Sequence, residues 1–358
     1  MNKEKTLEMI SKLSSAKGIS GFEDDVLEII KDYGHGYGEF EEDSLRNLYL
    51  YRKENSGDKP IVQIDSHTDE VGFMVQLIRP NGLLQIVAIG GWVTNNLPGN
   101  KVWVRNSEGK YISGIISSKP PHYMSEQEKK APLDFKNITV DVGARSKEEA
   151  INDFKIRIGE PIVPAVEFEY DWEHDLMVGK ALDNRLGCGM IINTLEELKG
   201  KSLDVDVISS FASQEEVGIR GAMVAARKIK ADLAIVFEAC PADDTFLSQH
   251  EIQAGIKKGP MLRHFDPRMI TNPRFQRFAL DIADRKGISL QEGVRSSGGT
   301  NAGAIHIANQ GIPTIVIAVP VRYAHTHYGI ATYFDYDNGV KLACEILKTL
   351  NKDIIAGF

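Results

Sequence analysis

The sequence predicts an α/β fold with a small all-β segment inserted into it, and three observations carry that reading. Apolar, β-branched runs at 205–212, 231–237 and 311–319 have the texture of strands buried on both faces. Carboxylates or imidazoles follow the ends of these runs, which is where ligands bind in open α/β sheets. Between 73 and 163 helical periodicity almost disappears, and short strands alternate with Gly and Pro turns.

At 358 residues the chain has room for one large domain or two ordinary ones. Its composition, 42% hydrophobic and 26% charged, is that of a globular protein. A net charge of −8 argues against a nucleic-acid partner, which would need a basic face. No apolar run is long enough to cross a membrane, so no membrane partner is expected. Residues 1–7 lead into an amphipathic pattern rather than a signal peptide. The three cysteines, Cys188, Cys240 and Cys344, are widely spaced and imply no disulfide framework. A reducing, cytoplasmic location is the expectation.

Leu7, Ile10 and Leu13 fall on one face of a helix over 5–16. Gly18-Ile-Ser-Gly21 breaks it, and a second helix starts from Glu23 with acidic residues in the first turn, where the helix dipole favours them. Residues 34–42 read as a Gly-rich turn, and 47–51 and 61–64 as strands. The second of these strands runs straight into Asp65-Ser-His67-Thr-Asp69-Glu70-Val-Gly72. Alternate residues of an extended chain share a side, a geometry suited to a metal-bound imidazole beside a carboxylate. Several uncompensated acids in one spot repel one another, which weakens a purely structural reading.

Within 73–163, apolar stretches at 83–89, 101–104 and 112–116 fit a small β-barrel or sandwich. Ser146 with Glu149 has the pattern of a capping box on a single short helix. The chain therefore divides into an α/β domain at 1–72 and 164–358 and an inserted β-domain at 73–163. In the second part, Asp183 stands before a helix over 190–198, in position to cap it. The strand at 205–212 ends in Ser213-Gln214-Glu215-Glu216, two adjacent carboxylates ahead of Gly218 and an alanine-rich helix. The strand at 231–237 ends in Glu238. Residues 272–286 form an amphipathic helix, 311–319 a last buried strand ahead of His325 and His327, and 336–350 the C-terminal helix. The glycine- and hydroxyl-rich start at Ser296 is only weakly an anion site without the phosphate-loop lysine.

Strand ends and strand-to-helix turns thus carry His67, Asp183, the Glu215–Glu216 pair, Glu238 and His325. Imidazole and carboxylate donors suit Zn²⁺, Co²⁺ or Mn²⁺, and no thiolate is needed. The set exceeds what one tetrahedral ion takes and fits two ions about 3.5–4 Å apart sharing a carboxylate. A carboxylate left over can serve as general base toward water.

The runs Ser66-His-Thr-Asp-Glu-Val-Gly72, Gly179-Lys-Ala-Leu-Asp-Asn-Arg185, Gln214-Glu-Glu-Val-Gly218, Gly298-Gly-Thr-Asn-Ala-Gly-Ala-Ile-His306 and Pro320-Val-Arg-Tyr-Ala-His325 resemble metallopeptidase family 42, the glutamyl and tetrahedral (TET-type) aminopeptidases of clan MH. Gly90-Gly-Trp92 and Ser118-Lys-Pro-Pro-His122 in the inserted segment resemble it too. The resemblance implies a mixed sheet sandwiched by helices, as in zinc exopeptidases, and two divalent ions per subunit, Zn²⁺ first, with Co²⁺ or Mn²⁺ as alternatives. His67, Asp183 and Glu238 would hold one ion, and Asp183, Glu216 and His325 the other. Asp69 would orient His67, and Glu215 would be the base that activates water and protonates the leaving amine. Substrates would be short peptides. The inserted β-domain would build dimers and, from these, a homo-oligomer of twelve.

Three positions depart from the family pattern. Glu238 stands where aminopeptidases of the clan usually carry Asp, Glu being commoner in related carboxypeptidases and deacylases. Asn301 replaces a frequent Asp. Thr326-His327 replaces the usual Ser-Pro, making His327 either a substrate contact or a solvent-facing side chain. The alternatives to an aminopeptidase are a related metal-dependent amidohydrolase or deacylase, and a glycoside hydrolase, because family members have been labelled endoglucanases. Adjacent Glu215 and Glu216 fit metal chemistry better than glycosidase acids, which flank a sugar bond at roughly 5–9.5 Å.

Overall fold

The computed structural model describes residues 1–131 and 133–358. It divides into two compact units, one of Met1–Asp69, Glu167–Ala324 and Tyr328–Phe358, the other of Glu70–Val166 with His325–His327.

The first unit is built on a nine-stranded mixed sheet. In chain order its strands are β1 (Gly38–Glu42), β2 (Leu48–Arg52), β3 (Ile61–His67), β12 (Asp206–Ala212), β13 (Leu233–Pro241), β14 (Met261–Asp266), β15 (Met269–Ile270), β16 (Gln291–Val294) and β17 (Thr314–Val321). They lie in the order β1-β2-β12-β3-β13-β17-β14-β15, with β16 paired to β14. The central four, β12, β3, β13 and β17, run parallel. Burial on both faces is why they read as unbroken apolar runs, and the two faces differ in the size of what they carry. On β13, Ile235 and Phe237 pack with residues of α1 (Lys3–Ser15), α2 (Asp24–Gly34), α5 (Leu182–Leu198), α7 (Pro273–Lys286) and α9 (Tyr333–Thr349). Ala234 and Val236, on the opposite face, pack with α6 (Arg220–Ile229) and α8 (Ala302–Ile305). The sheet is therefore sandwiched by helices, as expected. A three-stranded sheet of β10 (Glu169–Asp171), β11 (Leu176–Gly179) and β18 (Gly329–Thr332) completes the unit with the short α10 (Lys352–Ala356).

In the second unit β4 (Gly72–Ile78), β5 (Leu84–Ile89), β6 (Lys101–Arg105), β7 (Tyr111–Ile116), β8 (Thr139–Asp141) and β9 (Pro161–Pro164) close into a barrel in the order β4-β5-β8-β7-β6-β9. Period-two alternation produces it. Val102 and Val104 join Phe73, Val75, Ile86, Ile116, Val140 and Ile162 in the interior, while Lys101, Trp103 and Arg105 alternate outward. Of the barrel or sandwich left open by the pattern, closure selects the form without unpaired edges.

Several local expectations are corrected. Residues 38–42 are a strand, not a turn: Glu39 and Glu41 face solvent on an edge, as charged edge residues do. A Cβ on Gly38 would lie 1.8 Å from the Tyr51 carbonyl oxygen, so glycine permits the close pairing with β2. The helix expected at 190–198 starts at Leu182, and Asp183 does not cap it but lies inside it with non-helical φ/ψ. Glu238 is not beyond its strand but within it. Ser146 does cap α4 (Lys147–Asn152), but the Glu149 carboxylate accepts the N–H of Arg145 instead of closing a box. The reciprocal box forms at Ser125 and Glu128, on the unforeseen α3 (Glu126–Lys130). Among the described residues no helix is long and apolar enough to cross a membrane. Cys188, Cys240 and Cys344 are buried free thiols.

Candidate metal centre

β3 and β13 are parallel neighbours, with Asp65 opposite Val236. Continuing that register two residues sets Glu238 beside His67, at the carboxyl ends of the strands. The His67 Nε2 lies 3.4 Å from Glu238 Oε1 and 3.2 Å from Asp183 Oδ1. One ligand atom from each of His67, Asp183 and Glu238 falls within 4.8 Å of the others, a group that could hold a metal ion. His67 and Glu238 are buried and Asp183 is half-buried.

Asp183 reaches this place through an irregular turn. Ala181 is left-handed (φ 52°), Asp183 is extended (φ −85°, ψ 104°), and the peptide bond to Asn184 is cis. The residues that follow anchor the turn from beneath. The Asn184 side chain donates to the Phe237 carbonyl and accepts the N–H of Gly187. Arg185, wholly buried, donates to the carbonyls of Thr68, Leu13 and Gly18.

The Glu215–Glu216 pair follows β12 through Gln214, whose φ of 54° is uncommon for a residue with a Cβ. Asp69, fully buried, accepts the backbone N–H of Glu215 on Oδ1 (2.9 Å) and that of Glu216 on Oδ2 (3.1 Å). It also accepts Ser20 Oγ at 2.6 Å and faces His67, with Nδ1 3.4 Å from its Oδ1 and 3.1 Å from its carbonyl oxygen. A carboxylate oxygen of Glu216 lies within 4.8 Å of one of Asp183. Asp183 therefore has His67 and Glu238 within reach on one hand and Glu216 on the other.

The electrostatics match a cation site. Burial pushes the Glu215 carboxyl well above its usual range, and Glu238, Glu216 and Asp69 raise it further against the pull of His67. Burial also raises Glu238. For His67, burial favours the neutral ring, but Glu238, Asp183 and Asp69 together outweigh it and hold the imidazole well above its ordinary value. A divalent ion relieves this repulsion, and the N/O donor set is of the kind Zn²⁺, Co²⁺ and Mn²⁺ take.

Four further buried residues lie near the site, of which Ser20 and Glu23 carry no signal for it in the sequence. Ser20 and Glu23 lie where the first two helices meet; Glu23 Oε1 accepts the N–H groups of Gly21 and Gln214. Asp65 is held by Ser210 Oγ and, at 2.8 Å, by Asn301 Nδ2. A groove of about 690 Å³ lined by His35, Phe40, Tyr51 and Asp206 shares no residue with the candidate ligands.

His325 and His327 group with the second unit. His325 is left-handed (φ 59°), and its Nδ1 lies 3.1 Å from the Gly91 carbonyl oxygen, a bond that favours the Nδ1-protonated tautomer. His327 does not face solvent. It is 3% exposed, packs 5.4 Å from the Trp92 ring, and neither ring nitrogen has a hydrogen-bond partner among the described residues.

A helix-covered mixed sheet that gathers a histidine and carboxylates toward the carboxyl ends of parallel strands suits a metal-dependent enzyme, and comparison with known proteins narrows it to a peptidase. A family model described as M42 glutamyl aminopeptidase matches residues 47–342, and the chain belongs to this family. It is 32% identical to a glutamyl aminopeptidase of Lactococcus lactis subsp. cremoris, covering 97% of each chain. It is likewise 32% identical to a lysyl aminopeptidase of Pyrococcus furiosus, covering 96% of this chain and 97% of that one. Among solved structures it matches a TET aminopeptidase of a marine-sediment Thaumarchaeota archaeon (TM-score 0.95, 35% identity, 100% and 99% covered). It also matches the TET1 peptidase of Pyrococcus horikoshii, described as assembling into a tetrahedron or a large octahedral shell (TM-score 0.85, 28% identity, 96% and 100% covered). The chain is a peptide hydrolase of the aminopeptidase type.

Proposed function

We propose that the chain is a dimetal aminopeptidase that releases N-terminal residues from short peptides. The observation that carries this is the place of Asp183, within reach of His67 and Glu238 and also of Glu216. His67, Asp183 and Glu238 would hold one divalent ion, and Asp183, Glu216 and His325 the second, with Zn²⁺ first and Co²⁺ or Mn²⁺ as alternatives. Bound there, such ions supply Lewis acidity, lowering the pKa of a water and polarising the scissile carbonyl. The chain's own work is proton handling and positioning. Glu215 takes the proton from the attacking water and returns it to the departing amine. Asp69 holds Glu215 and Glu216 by their backbone N–H groups and orients His67.

The barrel unit would serve as the assembly module of the α/β enzyme, building dimers and from them a dodecamer in the cytoplasm. The shells named for the Pyrococcus horikoshii peptidase support that reading. A closed shell admits short peptides and excludes folded proteins.

The test is hydrolysis of free and N-acetylated amino-acid anilides before chelation, after it, and after each metal is restored. Metal-dependent release from free amino termini alone supports the proposal and names the preferred side chain. Relatives named for glutamyl and lysyl substrates leave its charge open. Cleavage of the blocked substrates instead would make the enzyme a deacylase and Glu238 its distinguishing residue.

A further inference from the structure

Three successive amides, those of Gln214, Glu215 and Glu216, donate to two buried carboxylates. Gln214 N–H goes to Glu23 Oε1 at 3.2 Å, and the next two go to the two oxygens of Asp69. The left-handed Gln214 turns these amides to one side, as in the concave backbone nests that bind anions. Ser20 closes the arrangement by donating to Asp69.

Glu23 is an expensive way to make this contact. It is 2% exposed, its Oε2 has no hydrogen-bond partner among the described residues, and Asp69 lies near enough to repel it. A buried carboxyl with one oxygen unsatisfied is costly, so the Gln214 N–H it accepts is the contact to account for. We infer that Glu23 is a positioning residue for proton transfer: by accepting the Gln214 N–H it holds the left-handed turn that aims Glu215. The inference rests on Glu215 being the base. Residues with a Cβ leave the left-handed region readily unless held there. Without the Glu23 acceptor the turn relaxes, and Glu215 moves off its hydrogen-bonding reach to water.

The experiment compares Glu23→Ala, Glu23→Asp, Glu23→Gln and Glu215→Gln in the metal-loaded enzyme, reading kcat, KM, metal content and amide exchange at 214–216. Glu23→Ala and Glu23→Asp are expected to lower kcat about 10- to 100-fold, as misplacement of a catalytic group by about an ångström does. KM and metal content should hold, and exchange should quicken at 214–216 alone. Glu23→Gln, which keeps the acceptor oxygen, should recover most of the lost kcat. Should Glu23→Ala fail to fold, the contrast between the Asp and Gln variants decides. Wild-type kcat in a folded Glu23→Ala or in Glu23→Asp overturns the inference, as does metal loss in step with activity. Full activity in Glu215→Gln would instead sink the reading of the base itself, a separate result.

Discussion

Asp69 Oδ1 accepts the backbone N–H of Glu215 at 2.9 Å, so the residue two places after His67 sets the position of a residue 146 places further on. The same carboxylate takes the Glu216 N–H on its other oxygen. One buried side chain thereby ties together the imidazole at the end of β3 and both acids at the end of β12. Burial alone would raise the Asp69 carboxyl, but His67, Ser20 and the Glu215 amide outweigh it and hold it below the usual range. It stays an acceptor on both oxygens.

Asp69→Asn tests that tie. An amide group in place of one oxygen would face a backbone N–H, donor against donor, at Glu215 or Glu216. We expect kcat or metal affinity to fall about 10- to 100-fold, as for partners of metal-bound histidines elsewhere. Steady-state kinetics with metal analysis of the purified variant checks it.

Much of this site could be read in the chain because parallel, doubly buried strands announce themselves as apolar runs, and what stops such a run is conspicuous. His67, Glu238 and the Glu215–Glu216 pair stand out that way. The local pattern around Asp183 points elsewhere. An acid before a helix looks like a cap, and nothing within a few residues says that its side chain turns to a histidine 116 positions away. Glu23 was passed over because acids at helix starts are common, and only packing shows it buried under Gln214. β14 was missed because Met261-Leu-Arg-His-Phe-Asp266 mixes charges into the strand, with Arg263 buried against Asp266.

Asn301 and Asp65 give a prediction about stability. Asn301 Nδ2 donates to the buried Asp65 carboxylate at 2.8 Å. Burial pushes Asp65 up to about 6, against the hydrogen bonds of Ser210 and Asn301. Asn301→Asp would set two buried carboxyls against each other at neutral pH, at a cost of about 1–3 kcal/mol. The melting temperature should drop by roughly 2–4 °C per kcal/mol. Adding Asp65→Asn should restore it, because the pair then holds one charge and one amide again. Thermal melts of the two single variants and the double variant read this directly.

Glu23 predicts a pH dependence. Burial first, and then Asp69, raise its carboxyl from 4.5 to about 7. Between those values the folded chain binds more protons than the unfolded one, so the contribution of Glu23 to stability falls as pH rises through that window. The gap corresponds to about 3 kcal/mol at most. Glu23→Gln removes the titration, and urea melts at pH 5 and pH 8 should show a smaller loss of stability in the variant than in the wild type.

Proton transfer by Glu215, with its neighbours holding metal, is tested most directly by the metal stoichiometry and turnover of Glu215→Gln on the best anilide substrate. Two bound ions per subunit are expected in both the variant and the wild type, with the variant's kcat lower by about 10²–10⁴-fold, the usual worth of a positioned general base. Near-normal turnover with both ions bound, or loss of an ion with the carboxylate, would contradict it.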